Sequence, residues 1–184
     1  MTWCRAIEDH YRHVWGTSPE VCASPGGPVH ELPDGFSVLR FPPRGQRAMW
    51  TYATRCMSKP DDERPIELHM FSPWEAGADV VELLYAVAHF HRTAARLDLG
   101  HSVNFGRPWI GASECDHGLG SLPYLDGPEL EVLTIGSRQV NCYWLIPITR
   151  SERDFKMRRG LDALEEAFER AGFDYLDPDR PSVV

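Results

Sequence analysis

The sequence predicts an α+β fold: a single domain, with a mixed, mainly antiparallel β-sheet and helices packed on it. Period-two alternation of apolar residues, typical of strands, occurs over residues 29–71 and again over 131–146. A helical pattern follows each of them, at 79–97 and at 152–171. With 184 residues, 42% of them hydrophobic, the chain is long enough to bury one core.

The first 47 residues are predicted to supply a helix and the first strands of this domain, which spans residues 1–184. Apolar side chains recur at helical spacing over residues 2–15, and Gly16 can end that helix. Residues 17–28 are rich in Pro, Gly and Ser and are predicted to form a loop. Short strands are expected at 29–32 and 36–41, around a turn in which a glycine supplies the positive φ.

The middle of the chain continues the sheet and adds a central helix. Strands are predicted at 48–57 and 66–71, joined by a charged hairpin loop. Residues 72–75 (Ser-Pro-Trp-Glu) have the composition of a helix start, and the helix proper is expected over 79–97. Residues 98–129 contain many glycines and prolines and resemble a long loop, but their apolar residues predict short strands inside it.

The last third is predicted to form a hairpin, 131–135 with 140–146, and then a helix at 152–171. Pro147 lacks a backbone N–H and therefore marks the end of the strand. Thr149 and Glu152 have the spacing of a capping box. The helix is expected to bury one apolar stripe against the sheet, formed by Leu161, Leu164 and Phe168.

Charge and compartment limit the possible ligands. The 27 acidic and 19 basic residues give a net charge of −8, which argues against nucleic acid as a ligand. It suits a basic protein partner. No apolar run is long enough to span a membrane and no signal peptide begins the chain, so a cytoplasmic location is expected.

The cysteines are predicted to be free thiols, mostly buried. Their number is odd and no Cys-x-x-Cys occurs, so disulfides are not expected. The five are Cys4, Cys22, Cys56, Cys115 and Cys142.

No motif specifies a reaction, and no cofactor or metal is expected. Phosphate-binding loops, metalloprotease motifs and nucleophile elbows do not occur in the sequence. Two short constellations remain as candidates for an unrecognised polar site. Glu67 and His69 share one strand face and could act as base and orienter, although such pairs more often face water or bond a neighbouring strand. Cys115 and His117 form only a fragment of a metal or nucleophile site.

Several short runs over residues 48–184 resemble a known family in their order and spacing. They are residues 53–58 (Ala-Thr-Arg-Cys-Met-Ser), 66–68 (Ile-Glu-Leu), 100–101 (Gly-His), 145–153 (Leu-Ile-Pro-Ile-Thr-Arg-Ser-Glu-Arg), 160–164 (Gly-Leu-Asp-Ala-Leu) and 179–184 (Asp-Arg-Pro-Ser-Val-Val). Together they resemble the bacterial suppressor-of-fused domains. Cys56 stands where that family usually has a glycine.

The resemblance implies a non-enzymatic protein-binding module. Bacterial members are often immunity proteins that bind and neutralise a cognate toxin, while the eukaryotic relative grips an extended peptide between two domains. Only the first of those two domains corresponds to this chain, so the two-domain grip is not expected within it. An enzyme with an unrecognised site and a structural subunit remain as alternatives.

The working surface is predicted to be the glycine-rich stretch between about His101 and Glu129. The stretch is too long for a bare connection, and it carries aromatic side chains of the kind that anchor interfaces together with acidic residues that attract a basic toxin. The predicted partner-binding residues are Trp109, Glu114, Asp116, Tyr124, Asp126 and Glu129.

Overall fold

An eight-stranded mixed sheet organises the chain in a computed structural model that describes residues 2–24, 26 and 29–184. The strands are β1 (Glu20–Val21), β2 (Ser37–Phe41), β3 (Trp50–Arg55), β4 (Ile66–Ser72), β5 (Ser102–Asn104), β6 (His117–Ser121), β7 (Val132–Ile135) and β8 (Arg138–Ile148). The α-helices are α1 (Trp3–Trp15), α2 (Gly77–Thr93), α3 (Pro128–Glu131), α4 (Arg150–Arg159) and α5 (Leu161–Ala171). The predicted α+β class is confirmed.

The strand order is β1-β2-β3-β4-β8-β6-β5, and β7 pairs with the first part of β8. Only β4 and β8 run parallel, in the register Leu68 opposite Tyr143; the other described pairs are antiparallel. On one face of the sheet α2 packs on β3, β4 and β8. The other face is covered by α1 and, further along β8, by α5 and the chain after it. The core therefore has two layers, with β8 between them.

Helix α1 forms as the sequence predicts. The Thr2 side chain accepts a hydrogen bond from the Arg5 N–H, and Gly16 ends the helix in the left-handed conformation. Ile7, Tyr11 and Trp15 are buried on the stripe that the helical spacing indicated.

The helix-start pattern at residues 72–75 is not used, although α2 lies close to its predicted range: 79–97 was expected and Gly77–Thr93 is observed. Ser72 pairs with Trp50 as the last residue of β4, and its hydroxyl donates to the Trp74 carbonyl oxygen at 2.7 Å. The helix begins at Gly77 instead, without a side-chain cap. Ser72 belongs to the strand rather than to the helix, because it pairs with Trp50 of β3.

The C-terminal helix is divided in two. The capping box at Thr149 and Glu152 is confirmed, but Gly160 has φ 93° and ends α4 before α5 begins. Leu164 and Phe168 are buried, whereas Leu161 is only half-buried. Strand β8 ends at Ile148, one residue after the predicted Pro147.

The first predicted strand is also wrong. Residues 29–31 form a 3₁₀ turn, and the neighbour of β2 is β1, which lies in the segment predicted to be a loop. Residues 25, 27 and 28 of that loop lie outside the described residues. The expected short strands within 98–129 are present as β5 and β6. A Cβ at Gly118 in β6 would lie 2.6 Å from the Phe105 ring, so this position needs a glycine.

The prediction of free thiols is wrong for two of the five cysteines. Cys4 and Cys56 form a disulfide across 52 residues of sequence, with their Cα atoms 5.1 Å apart. An odd number of cysteines does not exclude a single pair, and only the packing of α1 over the end of β3 brings these two together. Cys56 has φ 63°, the conformation that suits the glycine of the resembled motif.

Among the described residues, no helix is both long and apolar enough to cross a membrane.

Candidate functional site

A surface groove of about 410 Å³ lies between α5 and the segment that follows β6. Its floor is formed by β6 and β8, and its walls by residues 124–125, α5 and the chain after α5. We call it the aromatic groove, after the side chains that line it: Tyr124, Trp144, Phe168, Phe173 and Tyr175, with Leu125 at the edge.

The groove presents large apolar side chains that are only partly covered. Tyr124 is 58% exposed and Leu125 is 46% exposed, side by side on one wall. Trp144 of the floor meets Tyr175 of the opposite wall, and their rings pack edge to face with centroids 5.2 Å apart. Rigid aromatic side chains of this kind bury much area at little entropic cost and often anchor protein interfaces.

One rim of the groove is acidic. Glu165 and Glu169 line it from α5, and the Tyr124 hydroxyl donates to Glu165 Oε1 at 3.3 Å. Burial raises the pKa of the Glu165 carboxyl, whereas Glu169 is exposed. The rim therefore favours a cationic group on whatever occupies the groove.

Two buried polar atoms in the groove lack partners. Ser121 Oγ and Trp144 Nε1 have no hydrogen-bond partner among the described residues, and both residues line the groove. Each unsatisfied buried group costs about 1–3 kcal/mol. Both atoms are buried, so they give no contact to a docked partner unless the side chains that line the groove move.

The wall that carries Tyr124 is fixed by Asp126. The Asp126 side chain is only 2% exposed and forms an ion pair with Arg47. The guanidinium carbon of Arg47 lies 5.3 Å from the Trp15 ring centroid and 5.4 Å from that of Phe71. His69 Nε2 lies 3.8 Å from the free Asp126 oxygen.

The same wall is shaped by a tight turn. The N–H groups of Asp126 and Gly127 both donate to the Pro123 carbonyl oxygen, at 2.9 and 3.0 Å. Residues 121–127, which we call the Tyr124 loop, are therefore held at the turn and at the Asp126 carboxylate.

Sequence reasoning placed Tyr124 on the working surface, and the structure places it in the groove. The other predicted residues differ. Trp109 is only 1% exposed and belongs to the core, so it cannot anchor a partner at the surface. Asp126 is a buried structural carboxylate rather than a steering charge, because Arg47 neutralises it. Lysine at position 126 would therefore destabilise the Tyr124 loop.

Glu114, Asp116 and Glu129 do not line the aromatic groove. Asp116 accepts a hydrogen bond from His117 Nδ1 at 2.6 Å, and Glu114 and Glu129 are exposed. The acidic rim was missed because it comes from α5, about forty residues away in sequence. Its signal was the pair Glu165 and Glu169, one helical turn apart and beside the predicted apolar stripe.

The polar residues considered for catalysis do not form one site. Glu67 is fully buried, and its carboxylate accepts hydrogen bonds from Thr54 and from the N–H groups of Met57 and Ser58. Glu67 therefore has a structural role: its carboxylate holds the end of the neighbouring strand β3 and the turn after it. His69, also fully buried, has its pKa lowered to about 3 by burial and by Arg47.

Cys115 and His117 lie apart from that pair. Strand β8 separates β4 from β6, so the two strands are about 10 Å apart. Along β8, His69 is opposite Trp144 and His117 is opposite Ile148. The two histidines are therefore also separated by four residues along the strand direction. Burial raises the pKa of the Cys115 thiol, which disfavours the nucleophilic thiolate.

The fold defines the class: a single α+β domain built on a mixed, mostly antiparallel sheet. Sequence comparison then identifies the family, because the profile described as Suppressor of fused protein (SUFU) matches residues 33–181. This chain belongs to the suppressor-of-fused family.

Solved structures agree with that assignment. A SUFU homolog from Neisseria gonorrhoeae FA 1090 is 32% identical, with 99% of this chain and 97% of that chain covered and a TM-score of 0.83. A Sufu–Fu complex structure matches at 16% identity over 98% of this chain and 92% of that one, with a TM-score of 0.72. Drosophila Suppressor of Fused matches at 16% identity over 98% of this chain and 51% of that one, with a TM-score of 0.70. The two matches at 16% identity show the fold alone. A search of curated proteins finds no matching relative.

Proposed function

We propose that this chain is a non-enzymatic binding module whose protein partner docks in the aromatic groove. The observation that carries the proposal is the exposed pair Tyr124 and Leu125, set above an aromatic floor and opposite an acidic rim. A relative solved as a Sufu–Fu complex supports a protein as the partner.

The groove fits a partner segment with an apolar side chain beside a Lys or Arg. The apolar side chain packs against Tyr124 and Phe168, and the cation lies against Glu165 and Glu169.

The partner in this proposal is a cognate toxin with a basic domain, which the chain neutralises in the cytoplasm as an immunity protein. The net charge of −8 supports the pairing, since opposite charges speed encounter. The test is to express each product of the neighbouring open reading frames with and without this chain. Growth inhibition that this chain relieves supports the proposal; neighbours without toxicity, or toxicity that the chain leaves unchanged, contradict it.

The binding surface is tested by photocrosslinking in the native host. A photoreactive phenylalanine at position 124 should capture a partner, whereas the same residue at position 157 should not, because Met157 is 69% exposed on α4 and outside the groove. The captured protein is then purified and its affinity is measured directly. Tyr124→Ala should weaken binding mainly by faster dissociation. Unchanged affinity of that variant would place the surface elsewhere.

The charge of the rim has its own matched test. Glu169→Lys should slow association with the captured partner, and the effect should shrink as salt is added. Glu166→Lys makes the same charge change on an exposed residue of α5 that does not line the groove. Equal effects of the two variants would mean that only the net charge matters.

A further inference from the structure

The disulfide Cys4–Cys56 joins the first turn of α1 to the end of β3. Cys56 is buried, but Cys4 is only half-buried, so a small thiol reagent can approach from the Cys4 side. Cys56 has φ 63°, which is unfavourable for a residue with a side chain. The backbone at Cys56 is therefore expected to leave this conformation more easily once the Cys4–Cys56 bond is broken.

The bond lies beside a group of hydrogen bonds that fix the same turn. The Trp3 indole Nε1–H donates to Ser58 Oγ at 3.2 Å. Ser58 in turn donates to the buried Glu67 carboxylate through its N–H at 3.0 Å and its hydroxyl at 2.7 Å. The start of α1 is thus fastened to the sheet by the disulfide, by this short hydrogen-bonded chain and by the ion pair between Glu8 and Arg55 at 2.8 Å.

The other end of α1 supports the Tyr124 loop. Trp15 lies about 16 Å along the helix from Cys4, at 1.5 Å per residue. Its ring packs against the Arg47 guanidinium, which pairs with Asp126 in that loop. Midway, His10 Nε2–H donates to the Leu130 carbonyl oxygen at 3.3 Å, just after the loop. A shift of α1 must therefore reach the wall of the groove.

We propose that the Cys4–Cys56 disulfide is a redox control on the aromatic groove. While the bond is closed, α1 holds Trp15 beneath the Tyr124 loop and the groove is ready to bind. A dithiol reductant supplies two electrons and two protons; the S–S bond breaks, Cys4 and Cys56 become thiols, and the reductant becomes a cyclic disulfide. With α1 released at its start, the loop opens more often and a partner binds less well. In a reducing compartment the open form prevails. To close the bond again, a small-molecule disulfide takes two electrons and two protons from the Cys4 and Cys56 thiols and becomes two thiols. The consequence for binding rests on the function proposed above, but the coupling itself does not.

Hydrogen–deuterium exchange tests the coupling without a partner. The amides of Asp126 and Gly127, bonded to Pro123, should exchange about tenfold faster after reduction with dithiothreitol. Cys4→Ser should give the same increase without reductant. Cys22→Ser is the matched control, because Cys22 is a half-buried free thiol, and it should change nothing. Cys56→Ser also removes the bond and keeps a side chain at φ 63°, so it replaces Cys4→Ser if that variant folds poorly.

Two results would overturn the proposal. In the first, loop exchange stays unchanged although alkylation shows Cys4 and Cys56 as thiols. In the second, the Val183 amide, held by Glu152 at 3.1 Å, speeds up equally, which would make the disulfide a general staple. If instead the exchange result holds while Tyr124→Ala binds a partner normally, the coupling stands and the proposed binding surface fails.

Discussion

Two buried carboxylates, Glu152 and Asp126, differ in how completely they are satisfied. At the start of α4, Glu152 accepts from Arg180 through both oxygens, at 2.7 and 2.8 Å. The Val183 N–H also donates to one of these oxygens and the Thr149 N–H to the other, at 3.1 and 2.8 Å. We call this arrangement the tail clamp, because it fixes the last residues of the chain to α4.

The pair beneath the groove is incomplete. Asp126 pairs with Arg47 through one oxygen, while the other has no hydrogen-bond partner among the described residues. Both ring nitrogens of His69, close by, also lack partners there. Burial raises the pKa of Asp126, as expected for a carboxylate that its surroundings do not fully compensate.

The two regions are therefore expected to differ in rigidity. A fully bonded buried network makes a region rigid, whereas an incomplete one belongs to the less stable parts from which binding loops are drawn. The tail clamp is therefore expected to be more rigid than the Asp126 cluster beneath the Tyr124 loop.

The largest expected effect is at the clamp. Glu152→Ala leaves the Arg180 guanidinium buried without its carboxylate and should lower the free energy of unfolding by about 3–5 kcal/mol. Urea denaturation measures this. Arg64→Ala removes an exposed ion pair with Asp98 and should lose far less. Similar losses in the two variants would show that the clamp is no stronger than a surface pair.

Loss of apolar packing beside the tail clamp should lower the free energy of unfolding nearly as much. Leu164 is fully buried, so Leu164→Ala should cost about 2–5 kcal/mol. Met157→Ala removes an exposed apolar side chain of the preceding helix and should leave the denaturation midpoint in place. If the midpoint and slope of Leu164→Ala match the wild type, α5 is not part of the core.

The Asp126 cluster should respond to pH. His69 has a folded pKa of about 3, below the ordinary 6.5, so as the pH falls below about 6.5 the unfolded chain takes up the proton first. Stability is therefore lost as the pH falls towards the folded pKa, and at pH 5 the loss from this one group is about 2 kcal/mol. His69→Gln does not titrate, so its unfolding free energy should fall less between pH 7 and pH 5. Identical pH dependence of the two proteins would mean that His69 is not held neutral.

The smallest expected effect on stability is at the groove wall. Tyr124 is 58% exposed, so Tyr124→Ala should change the free energy of unfolding by less than about 0.5 kcal/mol. Thermal denaturation checks this. A large loss would assign Tyr124 to the core and remove it as a candidate anchor.

The sequence by itself determined the elements whose signals are local. The Thr149 capping box, the end of α1 at Gly16 and the apolar stripes of α1 and α5 depend on residues within a few positions of one another. Tyr124 was predicted as an anchor from the same kind of signal, an aromatic residue in a polar, glycine-rich segment, and that role stays a prediction.

Only the tertiary structure decided the features that depend on residues distant in sequence: strand pairing, charge pairing and the disulfide. Ser72 could cap a helix or extend a strand, and pairing with Trp50 decided for the strand. Asp126 looked like a free surface charge until Arg47, 79 residues earlier, was placed against it. Cys4 and Cys56 became a pair only when α1 packed on the sheet. Burial and charge pairing are set by such long-range contacts, which no local pattern records, because the same side chain is exposed or buried according to what packs over it.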